Sequence, residues 1–333
     1  MPTTGRTLPH PALAGLTVLE RGWLSSNNIL IHAALGEPGA VLVDTGHVVH
    51  REQTLALVRH ALQRAADASE QGSSRGSPRV GRLDRIVNTH LHSDHCGGNA
   101  LLQQALGVTI VIPPGLADAV RAWDLARLSH DDFGLRERFH FAATLAPGES
   151  FVAGGRRWQA LAAPGHDPHS LVLFDADAGL LLSADALWEN GFGVVFPELV
   201  GESGFDEVGA TLDMIERLPV RLVVPGHGAP FTDVAAALAR ARSRLAGFRA
   251  DPARHARHAV KVLVKYHMME RGRLPLAELL RWSAAAPLLR RVWSTFGAGR
   301  AAAPTPEAWM EGFVRELAGA GALAMEGGDV LDR

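Results

Sequence analysis

Lysine is nearly missing from this chain. Lys261 and Lys265 are the only two among 333 residues, and arginine carries the rest of the positive charge. Cys96 is the single cysteine, so no disulfide can form within the chain, and a reducing compartment suits it. Tyr266 is the single tyrosine. No apolar run approaches the ~18 residues a membrane span needs. Met1–Leu16 carries Pro2, Pro9 and Pro11 and lacks the continuous apolar stretch of an export signal, which points to the cytoplasm. A formal net charge of −2 provides no global basic field for nucleic acid. What the chain does have is 47% apolar residues, enough for a substantial core and too many for a disordered chain. It also has 16 histidines, and their placement carries information.

The first two thirds alternate strands and helices. Leu16–Glu20, Asn28–His32 and Ala40–Val43 read as successive strands separated by turn-prone residues. Arg51–Ala66 reads as a helix, with Leu55, Val58 and Leu62 at helical spacing. Ser69–Arg79, rich in Ser, Gly and Arg, reads as a mobile surface loop. Strands are expected at Leu83–Asn88, Val108–Ile112, Phe151–Ala153, Trp158–Ala162, Ser170–Phe174, Leu180–Ser183 and Leu222–Val224, and helices at Asn99–Leu106, Gly115–Leu128 and Asp206–Leu218. This pattern predicts a layered α/β domain over residues 1–233. Residues 234–333 change character, with helices at Val234–Gly247, His255–Arg271, Leu276–Trp282 and Pro306–Ala318. A hairpin around Gly327-Gly328 follows, the order of a winged-helix-like domain.

The strongest chemical signal is His90-x-His92-x-Asp94-His95. Three imidazoles and a carboxylate in six residues would lose hydration without return unless their lone pairs had a purpose, and a borderline metal supplies one. Alternation along an extended turn sends His90 and His92 one way and Asp94 and His95 another, which suits two adjacent metals. Chance would produce this pattern in roughly 2 chains in 1000 of such composition. Three more residues follow expected strands: His166 in Ala163-Pro164-Gly165-His166, Asp185 in Ser183-Ala184-Asp185, and His227 in Pro225-Gly226-His227-Gly228. Each alone is bland. Together with the cluster they place four metal-type sites at strand ends.

These motifs, with Val43-Asp44-Thr45-Gly46 before them, resemble the five motifs of the metallo-β-lactamase superfamily, in order, over about residues 16–233. The resemblance implies a four-layer αββα sandwich. It also implies that His90, His92 and His166 hold one metal, that Asp94, His95 and His227 hold the other, and that Asp185 bridges them. Asp44 would orient the ligand loops from behind. Two zinc ions are the expected cofactors, with iron or manganese as alternatives. Two departures stand out. Ala184 replaces the family's usual glycine before the bridging Asp. After His166 the chain reads Asp167-Pro168-His169-Ser170, so His169 comes one residue early and is expected to support the site by hydrogen bonding rather than as a ligand.

A metal pair of this kind would share a water, lower its pKa toward ~7, and deliver a bridging hydroxide to a carbonyl or phosphoryl centre. Asp185 would hold the pair and Asp94 would help pass the proton to the leaving group. Cys96 is then unneeded as a nucleophile and reads as a packed residue. Trp188, Phe192 and Phe196 follow Asp185 closely and, with Trp23 in the Gly22–Asn28 loop, are candidates for an apolar acyl pocket. The mildly acidic, apolar context favours a small-molecule ester, thioester or lactone over polyanions. Phosphodiester cleavage, as in an endoribonuclease branch with a C-terminal winged-helix-like domain, is the alternative. A nucleic-acid- or partner-binding protein with a structural metal domain is the second alternative. Arg240–Arg257 spreads its charges around a helix and reads as a solvated face. Tyr266 falls in the C-terminal region, away from the expected metals. His255, His258 and His267 read as surface or packing residues. No membrane partner is expected, and the sequence leaves oligomerisation open.

Overall fold

The computed structural model describes residues 10–72, 81–128, 136–298 and 305–333. Two sheets face each other. The first runs β1 (Leu16–Leu19), β2 (Asn28–Ile31), β3 (Ala40–Val43), β4 (Leu83–Val87), β5 (Thr109–Ile112), β6 (Ala143–Thr144). The second runs β11 (Leu222–Pro225), β10 (Leu180–Ala184), β9 (Leu171–Asp175), β8 (Arg156–Ala162), β7 (Ser150–Ala153). The central strands β2, β3, β9 and β10 are buried on both faces, so their sequences are near-continuous apolar runs.

Residue alternation sorts those runs into layers. Ile29, Ile31, Val41 and Val43 point inward and share one core with Leu171, Leu173, Leu180, Leu182, Leu222 and Val224 of the facing sheet. The intervening Leu30 and Leu42 point outward onto Leu55, Val58 and Leu62 of the Arg51–Gly72 helix and Leu102 of the Asn99–Leu106 helix. On the opposite side Val172, Phe174, Leu181 and Val223 meet the Phe205–Arg217 and Val234–Ala250 helices. The result is the expected αββα order.

Three local expectations change. The expected Ser69–Arg79 loop begins too early, because the Arg51–Gly72 helix continues through the helix formers that follow Ala66; residues 73–79 lie outside the described ones. The expected Gly115–Leu128 helix is broken. Trp123 adopts a left-handed backbone (φ 56°) and Asp124 Oδ1 accepts the Ala126 N–H at 3.1 Å, starting a new short helix. The Val234–Ala250 helix packs Ala237, Leu238, Ala241, Leu245 and Phe248 into the sandwich's outer layer, although its sequence groups with the C-terminal helices.

A second core lies beyond residue 251. The helices Pro252–Arg271, Leu276–Ala285, Pro287–Val292 and Pro306–Gly319 enclose Val260, Val264, Met268, Leu279, Leu289, Phe313 and Val314. A three-stranded sheet, β12 (Arg273–Pro275), β14 (Asp329–Asp332), β13 (Leu323–Glu326), closes it. β12 and the Pro287–Val292 helix were not legible in the sequence, since three and six residues are too short for a periodicity.

The histidines of the Pro252–Arg271 helix belong to the interior more than to the surface. His255 and His267 are buried, and His267 stacks on Trp282 at 3.7 Å. Burial pulls all three histidines down to about 4. His258 adds to this for His255, Arg244 and Lys261 add to it for His258, and Glu270 opposes it for His267. A folded-state value below the unfolded one of ~6.5 favours the neutral ring in the fold. Stability is therefore complete above about pH 6.5 and is lost as pH falls toward about 4, by roughly 3 kcal/mol for His255 alone. The melting temperature should be flat above pH 7 and fall steeply below 6.5, less steeply in His255→Gln. A profile unchanged by that substitution would show that His255 does not contribute.

Candidate metal centre

β3 and β4 are parallel, and β8, β10 and β11 share one direction through the antiparallel β9. Asp44, His90, His166, Asp185 and His227 each follow the C-terminal end of one of these strands. The topology thus brings five loops to one end of the sandwich. The ligand-type atoms form two groups, each within 4.8 Å: His90, His92 and His166 in one, and Asp94, His95, Asp185 and His227 in the other. All seven candidates named from sequence converge.

Three of the rings are oriented from behind. His166 Nδ1–H donates to the Val194 carbonyl at 2.6 Å. His95 Nδ1–H donates to Asp44 Oδ2 at 2.7 Å. Asp44 Oδ2 also accepts from the Thr89 hydroxyl at 2.7 Å, which leaves Thr89 Oγ1 to accept from His90 Nδ1–H at 3.1 Å. In all three the partner can only accept at that position, so Nδ1 carries the proton and Nε2 turns a lone pair inward. His90 Nε2 then lies 3.1 Å from His92 Nδ1, which lies 2.7 Å from His166 Nε2. Converging lone pairs repel unless a cation or proton sits among them. His95 Nε2 is buried with no hydrogen-bond partner. The donor set therefore fits divalent cations, and nitrogen with carboxylate oxygen suits zinc, iron or manganese.

Asp185 stands between the groups. Its Oδ1 is 3.4 Å from His95 Nε2 and 3.8 Å from His227 Nε2, while Oδ2 is 3.3 Å from His166 Nε2. Burial alone would raise its carboxyl, but His95 and His227 outweigh burial and hold it well below the carboxylate range. Asp94 is held low against burial in the same way, by His95 and by the His227 contact at 3.1 Å. Burial opposes protonation of His95, yet Asp185, Asp44 and Asp94 together raise it well above an ordinary imidazole. Burial, with His95 beside it, pushes His90 well down.

Backbone strain gathers at this end of the sheets. Asp44 (φ 57°) and Ala184 (φ 45°) are left-handed although neither is glycine. Ala184, the departure noted in the sequence, follows a register shift between β10 and β11 and still delivers Asp185 to the site. Opposite it, a Cβ on Gly226 would lie 2.3 Å from Asp185 Oδ1, so only glycine lets this loop approach the carboxylate.

A cavity of about 650 Å³ opens over the two groups. Trp23 stacks on His227 at 5.6 Å and meets Trp188 edge-on at 5.5 Å. Trp188 Nε1–H donates to Asp185 Oδ1 at 3.3 Å, a contact the sequence did not suggest. Phe196 lies edge-on to His92 and His166. Phe192 borders the cavity but is 2% exposed and packs on Phe248, so its weight is in the core.

Four expectations are corrected. His169 is exposed and sits against Gly115; Asp167, beside it, reaches His92 Nε2 at 3.6 Å instead. Tyr266 is not remote: its helix crosses the metal end and its hydroxyl meets Ser93 Oγ at 2.6 Å. The cavity is not acidic on every side, because Arg136, Arg244, Lys261 and Lys265 line it. Arg244 therefore leaves the solvated face expected for Arg240–Arg257, although Arg242, Arg249 and Arg257 do form surface ion pairs there. Cys96 is packed as expected, and burial pushes its thiol up.

The sequence pattern of the Metallo-beta-lactamase superfamily matches residues 21–227. A hydroxyacylglutathione hydrolase of Acidiphilium cryptum is 32% identical over 148 residues, 44% of this chain and 51% of that one. One from Methylococcus capsulatus is 29% identical over 143 residues, 43% of this chain and 47% of that one. The chain spans about half the length of the curated relatives it matches. A beta-lactamase domain protein from Burkholderia ambifaria shares the fold with a TM-score of 0.53 at 20% identity, over 96% of this chain and 93% of that one. A metallo-beta-lactamase family protein from Thermus thermophilus gives 0.50 at 20% identity, over 96% and 99%.

Proposed function

We propose that this chain, which belongs to the metallo-beta-lactamase superfamily, is a dinuclear metal-dependent hydrolase of small acyl compounds, with thioesters ahead of esters and lactones. The observation that carries the reading is the convergence of two ligand groups, joined by Asp185, on the floor of one cavity. His90, His92 and His166 would hold one cation, Asp94, His95 and His227 the other, and Asp185 both. A cation pair there supplies a water that ionises near neutral pH and a Lewis acid for the carbonyl oxygen. The chain's own residues do the rest. Asp44, Thr89 and the Val194 carbonyl fix the tautomers and ring planes, Trp188 orients Asp185, and Asp94 is placed to hand a proton to the leaving group. Trp23, Trp188 and Phe196 cover the acyl side and exclude water.

Thioesters come first because relatives matched over about half their length carry the name hydroxyacylglutathione hydrolase and because the cavity has a cationic wall. We place the division between domains near residue 251 rather than 233, since the Val234–Ala250 helix packs with the sandwich. The rest is helix, β12, helices, β13 and β14, which we read as winged-helix-like. That order keeps phosphodiester cleavage as the second reading. A cytoplasmic setting suits the buried, free Cys96. No helix among the described residues is long and apolar enough to cross a membrane.

Protein purified without chelator should contain two equivalents of metal per chain, zinc being the first expectation. A value fixed at one, whatever zinc or iron is added, would overturn the dinuclear reading. Turnover should appear on a thioester within a panel that includes an ester, a lactone, a β-lactam and a phosphodiester. Activity confined to the phosphodiester would select the second reading.

A further inference from the structure

The Pro252–Arg271 helix touches the metal end through two polar side chains one turn apart, Tyr266 and Glu270. Glu270 Oε1 lies 3.0 Å from His47 Nε2, with side chains 5% and 0% exposed. His47 Nδ1 accepts the Val49 N–H at 3.3 Å, so Nε2 carries the proton and donates to the carboxylate. Tyr266 packs edge-on against the same imidazole at 5.5 Å, and its hydroxyl meets Ser93 Oγ at 2.6 Å.

Both partners belong to segments that carry the centre. Ser93 lies between His92 and Asp94. His47 follows Asp44 and Thr45, and Thr45 N–H donates to the His95 carbonyl at 2.7 Å. The two segments meet closely at two glycines: a Cβ on Gly97 would lie 2.3 Å from Val48 N and 2.8 Å from His47 C, and one on Gly98 2.6 Å from Thr45 O, while Thr45 Oγ1 bonds to the His95 carbonyl at 3.2 Å and accepts the Gly98 N–H at 3.2 Å. A displacement of His47 is thus passed directly to the His90–His95 loop. A buried carboxylate and a phenol hydroxyl are costly means of docking a helix whose neighbouring turns offer Val260, Leu263, Val264 and Met268. Their use calls for directional contacts.

We infer that Tyr266 and Glu270 form a clamp by which the C-terminal domain sets the spacing of the metal-ligand loops, so that metal retention depends on a helix that supplies no ligand. The inference rests on the reading of those loops as metal-binding. The contacts run in series: Glu270 fixes the His47 ring, His47 fixes the backbone behind Gly97, and Tyr266 holds Ser93 from the other side. Both are positioning residues.

The test is zinc affinity, measured by competition with a chromophoric chelator on full-length protein after metal removal. Tyr266→Phe deletes one hydroxyl and Glu270→Gln one charge, and each should weaken zinc binding about 10-fold, the order seen when groups behind metal ligands are changed. The double variant should lose less than the product of the two, because both act on the one His90–His95 loop, Tyr266 through Ser93 and Glu270 through His47. Val264→Ala, in the same helix and 0% exposed, is the stability control and should leave zinc affinity within about twofold. If wild type binds no zinc, the metal reading itself fails. If wild type binds two equivalents and the clamp variants bind as tightly, or Val264→Ala weakens zinc as much as they do, the clamp is overturned and the contacts are packing alone.

Discussion

Asp185→Asn should lower turnover by about 10²-fold or more while the protein stays folded, an effect of about 3 kcal/mol. The side chain keeps its shape, and the β10 strand that aims it is fully buried, so the loop has no reason to move. What is lost is charge and one acceptor. Oδ1 faces His95 and His227, and Oδ2 faces His166, so one carboxylate serves both groups with an oxygen apiece. An amide turns an N–H₂ toward one of them. That donor meets a lone pair aimed at a cation, and the Trp188 N–H loses its anionic acceptor when the amide takes the wrong orientation. Metal content measured on the same samples should fall below two equivalents. Asp177→Asn is the control: Asp177 is exposed, and its N–H bonds to Asp175 Oδ1 in the β9–β10 turn. Two retained metals with near-normal turnover in Asp185→Asn would mean that Asp185 is not the bridge.

The legible part of the site was the part written in local order. His90 to His95 declares itself because four donors share six residues, and His166, Asp185 and His227 each follow an apolar run that had to be a strand. The layers followed from the same runs, since β2, β3, β9 and β10 are buried at every position and must be covered on both faces. What stayed hidden depends on tertiary approach. Tyr266 lies 173 positions from Ser93, and Glu270 223 from His47, so no spacing announces either contact. Arg244 sits in a helix whose other arginines are on the surface, and it packs against Gly191, where a Cβ would lie 2.7 Å from the guanidinium, an approach that no spacing in the sequence announces. Asp167 rather than His169 faces His92 because the chain turns here, with Asp167 Oδ1 accepting the His169 N–H at 2.8 Å, and a turn gives no period from which side-chain direction can be read.

The cationic wall gives the second large effect. Arg244→Ala should raise KM for a thioester with a carboxylate remote from the acyl carbon by about 10- to 100-fold, with kcat within a few-fold, and should leave an uncharged thioester of equal size unaffected. Lys261 is paired with Glu316 at 2.6 Å and Lys265 with Asp332 at 2.6 Å, so both are already compensated. Among the described residues no carboxylate forms an ion pair with Arg244, and its guanidinium is held below its usual range by burial and then by Arg254. Arg136 also lines the cavity, with buried Nε and Nη1 atoms that have no hydrogen-bond partner among the described residues. Half-buried cations without partners are costly unless an anion arrives to face them, and a charge-assisted hydrogen bond formed there is worth about 1.5–3 kcal/mol. That energy comes from a part of the substrate that does not react, so it should be equal in ground state and transition state and appear in KM. Arg244→Lys, which keeps the charge but loses the planar fork, should fall between wild type and Ala. Equal losses on charged and uncharged thioesters would show that Arg244 shapes the cavity rather than recognising an anion.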